Sequence, residues 1–122
     1  MEVKKISKNQ VSEEKLGPIT RRILFSPSRT GNSHLRLVWL TGEYGDLSPV
    51  HTHPGEEALF VLQGEITMTI DGRDYIVGPN EGIVVPPKTE HPFLVTSKES
   101  WIGVASFCDE CRVLKEHLRA EQ

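Results

Sequence analysis

The sequence predicts an all-β domain, and three observations carry that reading. Apolar and polar residues alternate with period two in short runs. The alternation is cleanest over residues 65–70, where Ile66, Met68 and Ile70 share one face and Glu65, Thr67 and Thr69 the other. Turn chemistry separates the runs: Asp71-Gly72 is a two-residue hairpin signal of the type I′ kind, and Gly78-Pro79-Asn80 and Pro86-Pro87 each end a strand. Helical periodicity is confined to the end of the chain, where Cys111, Leu114 and Leu118 recur on one side. Short antiparallel strands in this arrangement predict a barrel or a double sheet, without separating the two.

The elements follow in order. Residues 1–18 mix charges with isolated apolar side chains and read as an exposed N-terminal arm, with a first strand expected at 3–6 and ordering against a second subunit. Residues 19–25 are strand-like, and Ser26-Pro27-Ser28 punctuates them; 29–32 read as a loop turning at Gly31. Residues 34–40 alternate only partly, as a strand buried on much of both faces does, and His34 at its start reads as a surface or loop histidine. A Gly-rich connection over 41–50 follows. Further strands are expected at 58–63, 65–70, 73–77, 82–85, 93–96 and 101–107. Asp109 is placed to cap a short amphipathic helix in the tail, residues 108–122. The main domain is therefore expected over 19–107.

Whole-chain properties exclude several functions. At 122 residues the chain is one domain, long enough for a core without disulfide staples. A net charge of −3 offers no basic footprint, so neither nucleic acid nor an anionic membrane is an expected partner. No apolar stretch reaches the length of a membrane span, and the polar, lysine-bearing start lacks a signal peptide's apolar run, so a cytoplasmic location is expected. Cys108 and Cys111 form a C-x-x-C pair without the strand–helix repeat of a redox domain. The pair reads as two incidental thiols at a strand-to-helix junction; a redox role, or a zinc or disulfide link completed by a partner subunit, stays open.

The chemistry concentrates between Gly45 and Gly64. His51 and His53 stand two apart, so on an extended strand both imidazoles project from one face. Glu57 follows His53 by four residues, again an even spacing, with Pro54-Gly55 between them. Neutral nitrogens with a hard carboxylate are a donor mixture that divalent transition metals favour. His91, after the Pro86-Pro87 turn, can supply a fourth donor.

The spacing Gly45, five residues, His51-x-His53, three residues, Glu57, six residues, Gly64 resembles the first motif of the cupin family position by position. In the second motif Pro86 and His91 stand five apart, as in the family. Asn80 and Lys88 replace its usual glycines there, and Val95 replaces an asparagine. Lysine adopts the left-handed backbone of glycine at a cost of about 1 kcal/mol or more, so the turn before His91 is expected to depart from the common form.

The resemblance, which covers roughly residues 37–104, implies a small single-domain cupin of the conserved-barrel type: a jelly-roll β-barrel with a short C-terminal helix. It implies His51, His53, Glu57 and His91 as metal ligands and a homodimer as the assembly. Iron, manganese, nickel, cobalt, copper and zinc are not separated by these donors. The functions expected are a metal-dependent enzyme of dioxygenase, isomerase or lyase type on a small polar metabolite, or a non-catalytic small-ligand-binding or sensing module with a structural metal. No catalytic residue beyond the ligands is identified; Arg36, Tyr75 and Glu56 are candidates to assist.

Overall fold

The computed structural model describes residues 3–108. The tail helix expected over 108–122, and Cys111 with it, lies outside the described residues apart from Cys108. The described residues form nine strands: β1 (Glu14–Leu16), β2 (Ile19–Phe25), β3 (Arg36–Gly42), β4 (Glu57–Gln63), β5 (Ile66–Ile70), β6 (Arg73–Val77), β7 (Gly82–Val85), β8 (Phe93–Val95) and β9 (Trp101–Phe107). A single helical turn, α1 (Pro27–Thr30), stands where a loop was expected. Ser26 caps it through Arg29 N–H, and Gly31 closes it in the left-handed region at φ 73°.

The strands pair antiparallel into two sheets, one ordered β1-β2-β3-β9-β4-β7 and the other β6-β5-β8. The expectation of a hydrogen-bonded closed barrel is thus corrected to two facing sheets. Gly45 N–H and Ser48 N–H donate to Val95 and Phe93, and Val95 N–H donates back to Asp46. Only Leu47, however, makes a ladder bridge, to Leu94. Pro49, two residues on, has no N–H to extend the pairing, so the segment leaves the sheet before it can join the two.

The arm is held by its own domain. Residues 3–6 form no strand; a 3₁₀ turn at Lys8–Gln10, boxed by Ser7 and Gln10, precedes β1. Arg22 donates to the carbonyls of Lys8 and Val11 at 2.9 Å and to Glu13 at 2.8 Å, and Lys8 lies over the Trp39 ring at 4.9 Å. That cover explains why β3 alternates only partly: its outer face is half-buried beneath the arm.

The core fills the space between the sheets. Ile19, Val61, Ile66, Met68, Val95 and Trp101 are fully buried, each contributing about 1.5–3 kcal/mol. Gly64, at φ 76°, closes the turn beside them. A Cβ there would sit 2.9 Å from the Trp101 Cα and 2.8 Å from Ser97 Oγ, so both its conformation and its space require glycine. The register aligns Gly42 with Trp101 at one end of the larger sheet, and Arg36 and Glu57 with Phe107 at the other. The first end is packed with large apolar side chains around Trp101; the second carries the site.

Candidate metal centre

His51 and His53 stand in the irregular segment between β3 and β4, not on a laddered strand as expected. Prolines at 49 and 54 bracket them and remove two backbone donors, which keeps the segment extended but unpaired. Gly45, at φ 85°, turns the chain into it. Glu57 is the first residue of β4, and His91 lies between β7 and β8. Both positions keep the left-handed form despite their side chains: Asn80, in the turn before β7, has φ 67°, and Lys88, in the turn before His91, φ 58°. The expected departure is therefore corrected. Lys88 N–H donates to His53 O at 2.8 Å, a bond that ties the two histidine segments together and offsets the strain.

These elements bring the three histidines into one cluster. Ring centroids are 5.0 Å apart for His51–His53, 4.5 Å for His51–His91 and 5.4 Å for His53–His91. One nitrogen from each lies within 4.8 Å of the others. Two of the rings are fixed by the same device: His51 Nδ1 donates to Pro49 O at 2.8 Å, and His91 Nδ1 to Thr89 O at 2.9 Å. A proton on Nδ1 leaves Nε2 with a bare lone pair, the form that ligates a metal. His53 is stacked on Phe107 with centroids 4.4 Å apart.

Glu57, 7% exposed, completes the group. Its Oε2 lies 2.9 Å from His91 Nε2 and its Oε1 3.8 Å from His53 Nε2. His91 Nε2 is buried and faces this carboxylate at ion-pair distance. Two lone-pair acceptors thus face each other across a gap that a proton or a cation must bridge. The acid–base balance of His91 reflects this. Burial by itself lowers the imidazole, but the Glu57 carboxylate and the Thr89 carbonyl outweigh it and hold His91 above its ordinary value. Three clustered imidazoles, two of them held in the ligating tautomer, with a carboxylate alongside, fit a divalent transition ion.

The cluster opens into a cavity of about 60 Å³ between the sheets. Its lining is mostly apolar, including Leu16, Leu40, Met68 and Phe93, with Arg21 the one lysine or arginine among the described residues that line it. Of the assisting groups expected, Glu56 is exposed and Tyr75 lies under Arg73 with its ring 38% residue-exposed; neither lines the cavity. Arg36 stands behind the lining, its guanidinium 5.2 Å from the Phe107 ring centroid. His34 is exposed, as expected. Arg21 and Phe107 were missed. A signal existed for the first: the alternation Ile19-x-Arg21-x-Ile23 puts a charge where an inward apolar residue belongs.

With this geometry in hand, likeness to known proteins can be placed. The family model for the cupin domain matches residues 30–103. Quercetin 2,3-dioxygenase of Bacillus subtilis (strain 168) is 30% identical over 70 residues, which are 57% of this chain and 21% of that protein. The chain thus spans about a fifth of that relative's length. Among solved structures, the polyketide cyclase RemF from Streptomyces resistomycificus superposes with a TM-score of 0.76 at 23% identity, covering 89% of this chain and 81% of that one. An RmlC-like cupin from Shewanella frigidimarina NCIMB 400 gives 0.71 at 22%, covering 88% and 92%. A predicted oxalate decarboxylase from Thermotoga maritima gives 0.74 at 16%, covering 86% and 98%. At these identities the structural likeness speaks for the fold alone.

Proposed function

This chain belongs to the cupin family, and on that premise we propose that it is a metal-dependent enzyme acting on a small polar metabolite. His51, His53, His91 and Glu57 hold the ion. The observation that carries the reading is the convergence of the three imidazoles, one nitrogen from each within 4.8 Å of the others, with the Glu57 carboxylate 2.9 Å from His91 Nε2. When bound, a divalent ion supplies Lewis-acid or dioxygen chemistry. The chain's own groups set the conditions for it. Pro49 and Thr89 carbonyls hold two imidazoles in the ligating tautomer, and Phe107 fixes the ring plane of His53. The apolar lining keeps water out of the reacting volume and strengthens every polar contact inside it. The relatives' names span a dioxygenase, a cyclase and a predicted decarboxylase, so the reaction class proposed is the broad one: dioxygenase, isomerase or lyase.

A second reading, a small-ligand-binding or sensing module, is favoured by one observation. Among the cavity's described lining residues, the only proton-transfer groups are Glu57 and the three histidines. The deciding experiment measures metal content by elemental analysis, then turnover of metabolite panels under oxic and anoxic conditions. About one ion per chain is expected, and Glu57→Gln at equal metal occupancy should lower turnover about tenfold or more. Full metal with no turnover on any panel would select the binding module.

We also propose a homodimer. Phe60, Leu62 and Val84 are all more than 40% exposed on the outer face of β4 and β7, a patch of the kind subunits cover. Sedimentation of a monomer at high micromolar concentration would remove this assembly.

A further inference from the structure

Arg21 occupies an inward position of β2, between the buried Ile19 and Ile23 and beside Leu40 of β3. Its side chain is 29% exposed, but its Nε is buried, and a buried donor needs a partner; the one available is mostly engaged elsewhere. Arg21 Nε is buried without a hydrogen bond, and the nearest carboxylate oxygen, Glu14 Oε1, is 3.8 Å away. Glu14 gives its other oxygen to Arg29 at 3.1 Å. That hydrogen bond, with the nearby charges of Arg21 and Arg36, holds the Glu14 carboxyl below its usual range and keeps it anionic. The guanidiniums of Arg21, Arg29 and Arg36 thus all lie near this one carboxylate, and of the three Arg21 is the one that lines the cavity.

We propose that Arg21 binds the carboxylate of a small anionic substrate inside the histidine-lined cavity. The planar fork of a guanidinium matches two carboxylate oxygens side by side. Glu14 acts as the stand-in anion: its loose contact with Arg21 yields to the substrate while Arg29 retains it. The proposal rests on the reading of this cavity as the substrate site, and it assigns that substrate a chemical class.

The test is titration of Co(II)-loaded protein with acetate, malonate, malonamide and inorganic phosphate, followed by the cobalt absorption bands. Malonate should saturate, and malonamide should not. Arg21→Gln should weaken malonate at least tenfold with cobalt stoichiometry unchanged; Arg21→Lys should fall between. Glu14→Gln, which removes the competing anion, should tighten malonate several-fold, a gain that a merely structural Arg21 would not produce. Where Arg21→Gln fails to fold, Arg21→Lys and Glu14→Gln carry the test. Unchanged malonate affinity in the Arg21 variants, or a preference for phosphate, would overturn the proposal. If cobalt does not bind, the metal reading fails separately. Arg21 is then decided on metal-free protein, by whether malonate moves its Nε–H resonance or leaves it in place.

Discussion

The two ends of the space between the sheets are built from the same strands and do opposite things. At the Trp101 end, Ile19, Val61, Ile66 and Val95 are all 0% exposed and nothing charged enters. At the Phe107 end, β3 and β4 carry Arg36 and Glu57, the loops add three histidines, and Arg21 of β2 lines the same cavity. The apolar end supplies burial that offsets the desolvation of the other. A buried carboxylate beside an imidazole is a poor source of stability, and its place in the fold is maintained by packing elsewhere. Stability and chemistry are thus segregated along the strand axis within one small domain.

That segregation predicts a pair of opposite outcomes. Trp101→Ala should lower unfolding free energy by about 3–5 kcal/mol, measured by denaturant titration, while the folded fraction still binds metal. His51→Ala should do the reverse. Metal affinity should fall by more than about 100-fold in competition with a chelator, while metal-free stability shifts by less than about 1 kcal/mol. Similar stability losses in both variants would erase the distinction between the ends.

The pH dependence sharpens it further. His91 is held above its ordinary value in the metal-free fold. Its contribution is therefore complete below the unfolded-state value of about 6.5 and is lost as pH rises through the higher folded value. Metal takes the place of that proton, so the sign reverses for the loaded protein. The melting-temperature increment on adding metal should widen as pH rises from about 5 to 8. An increment independent of pH would separate His91 from the ion.

The smallest expected effect lies at the turn that links the histidine segments. Lys88→Gly relieves a left-handed lysine while keeping its N–H on His53 O, and should stabilise the protein by about 1 kcal/mol with metal affinity unchanged. A loss of stability would show that the lysine side chain is needed where it is.

Much of this was legible in local sequence, and for physical reasons. The strands at Ile66–Ile70 and Trp101–Phe107 follow from period-two burial, and those at Arg73–Val77 and Gly82–Val85 from Gly and Pro punctuation, both properties of a few neighbouring residues. The Asp71-Gly72 turn has φ 51° and 75°, as its residue types require. The histidine pair and Glu57 could be singled out because their spacing is itself local. What only the tertiary structure decided depends on residues far apart in the chain. The sheets remain two because one segment stops at Pro49; the arm docks because Arg22 reaches Lys8 and Val11; Lys88 keeps a glycine's conformation because His53 accepts its N–H. Arg21 is the clearest case. Its alternation marked it as inward, but its meaning depends on Glu14 being drawn to Arg29 and on three histidines arriving from elsewhere, contacts that no sequence period encodes.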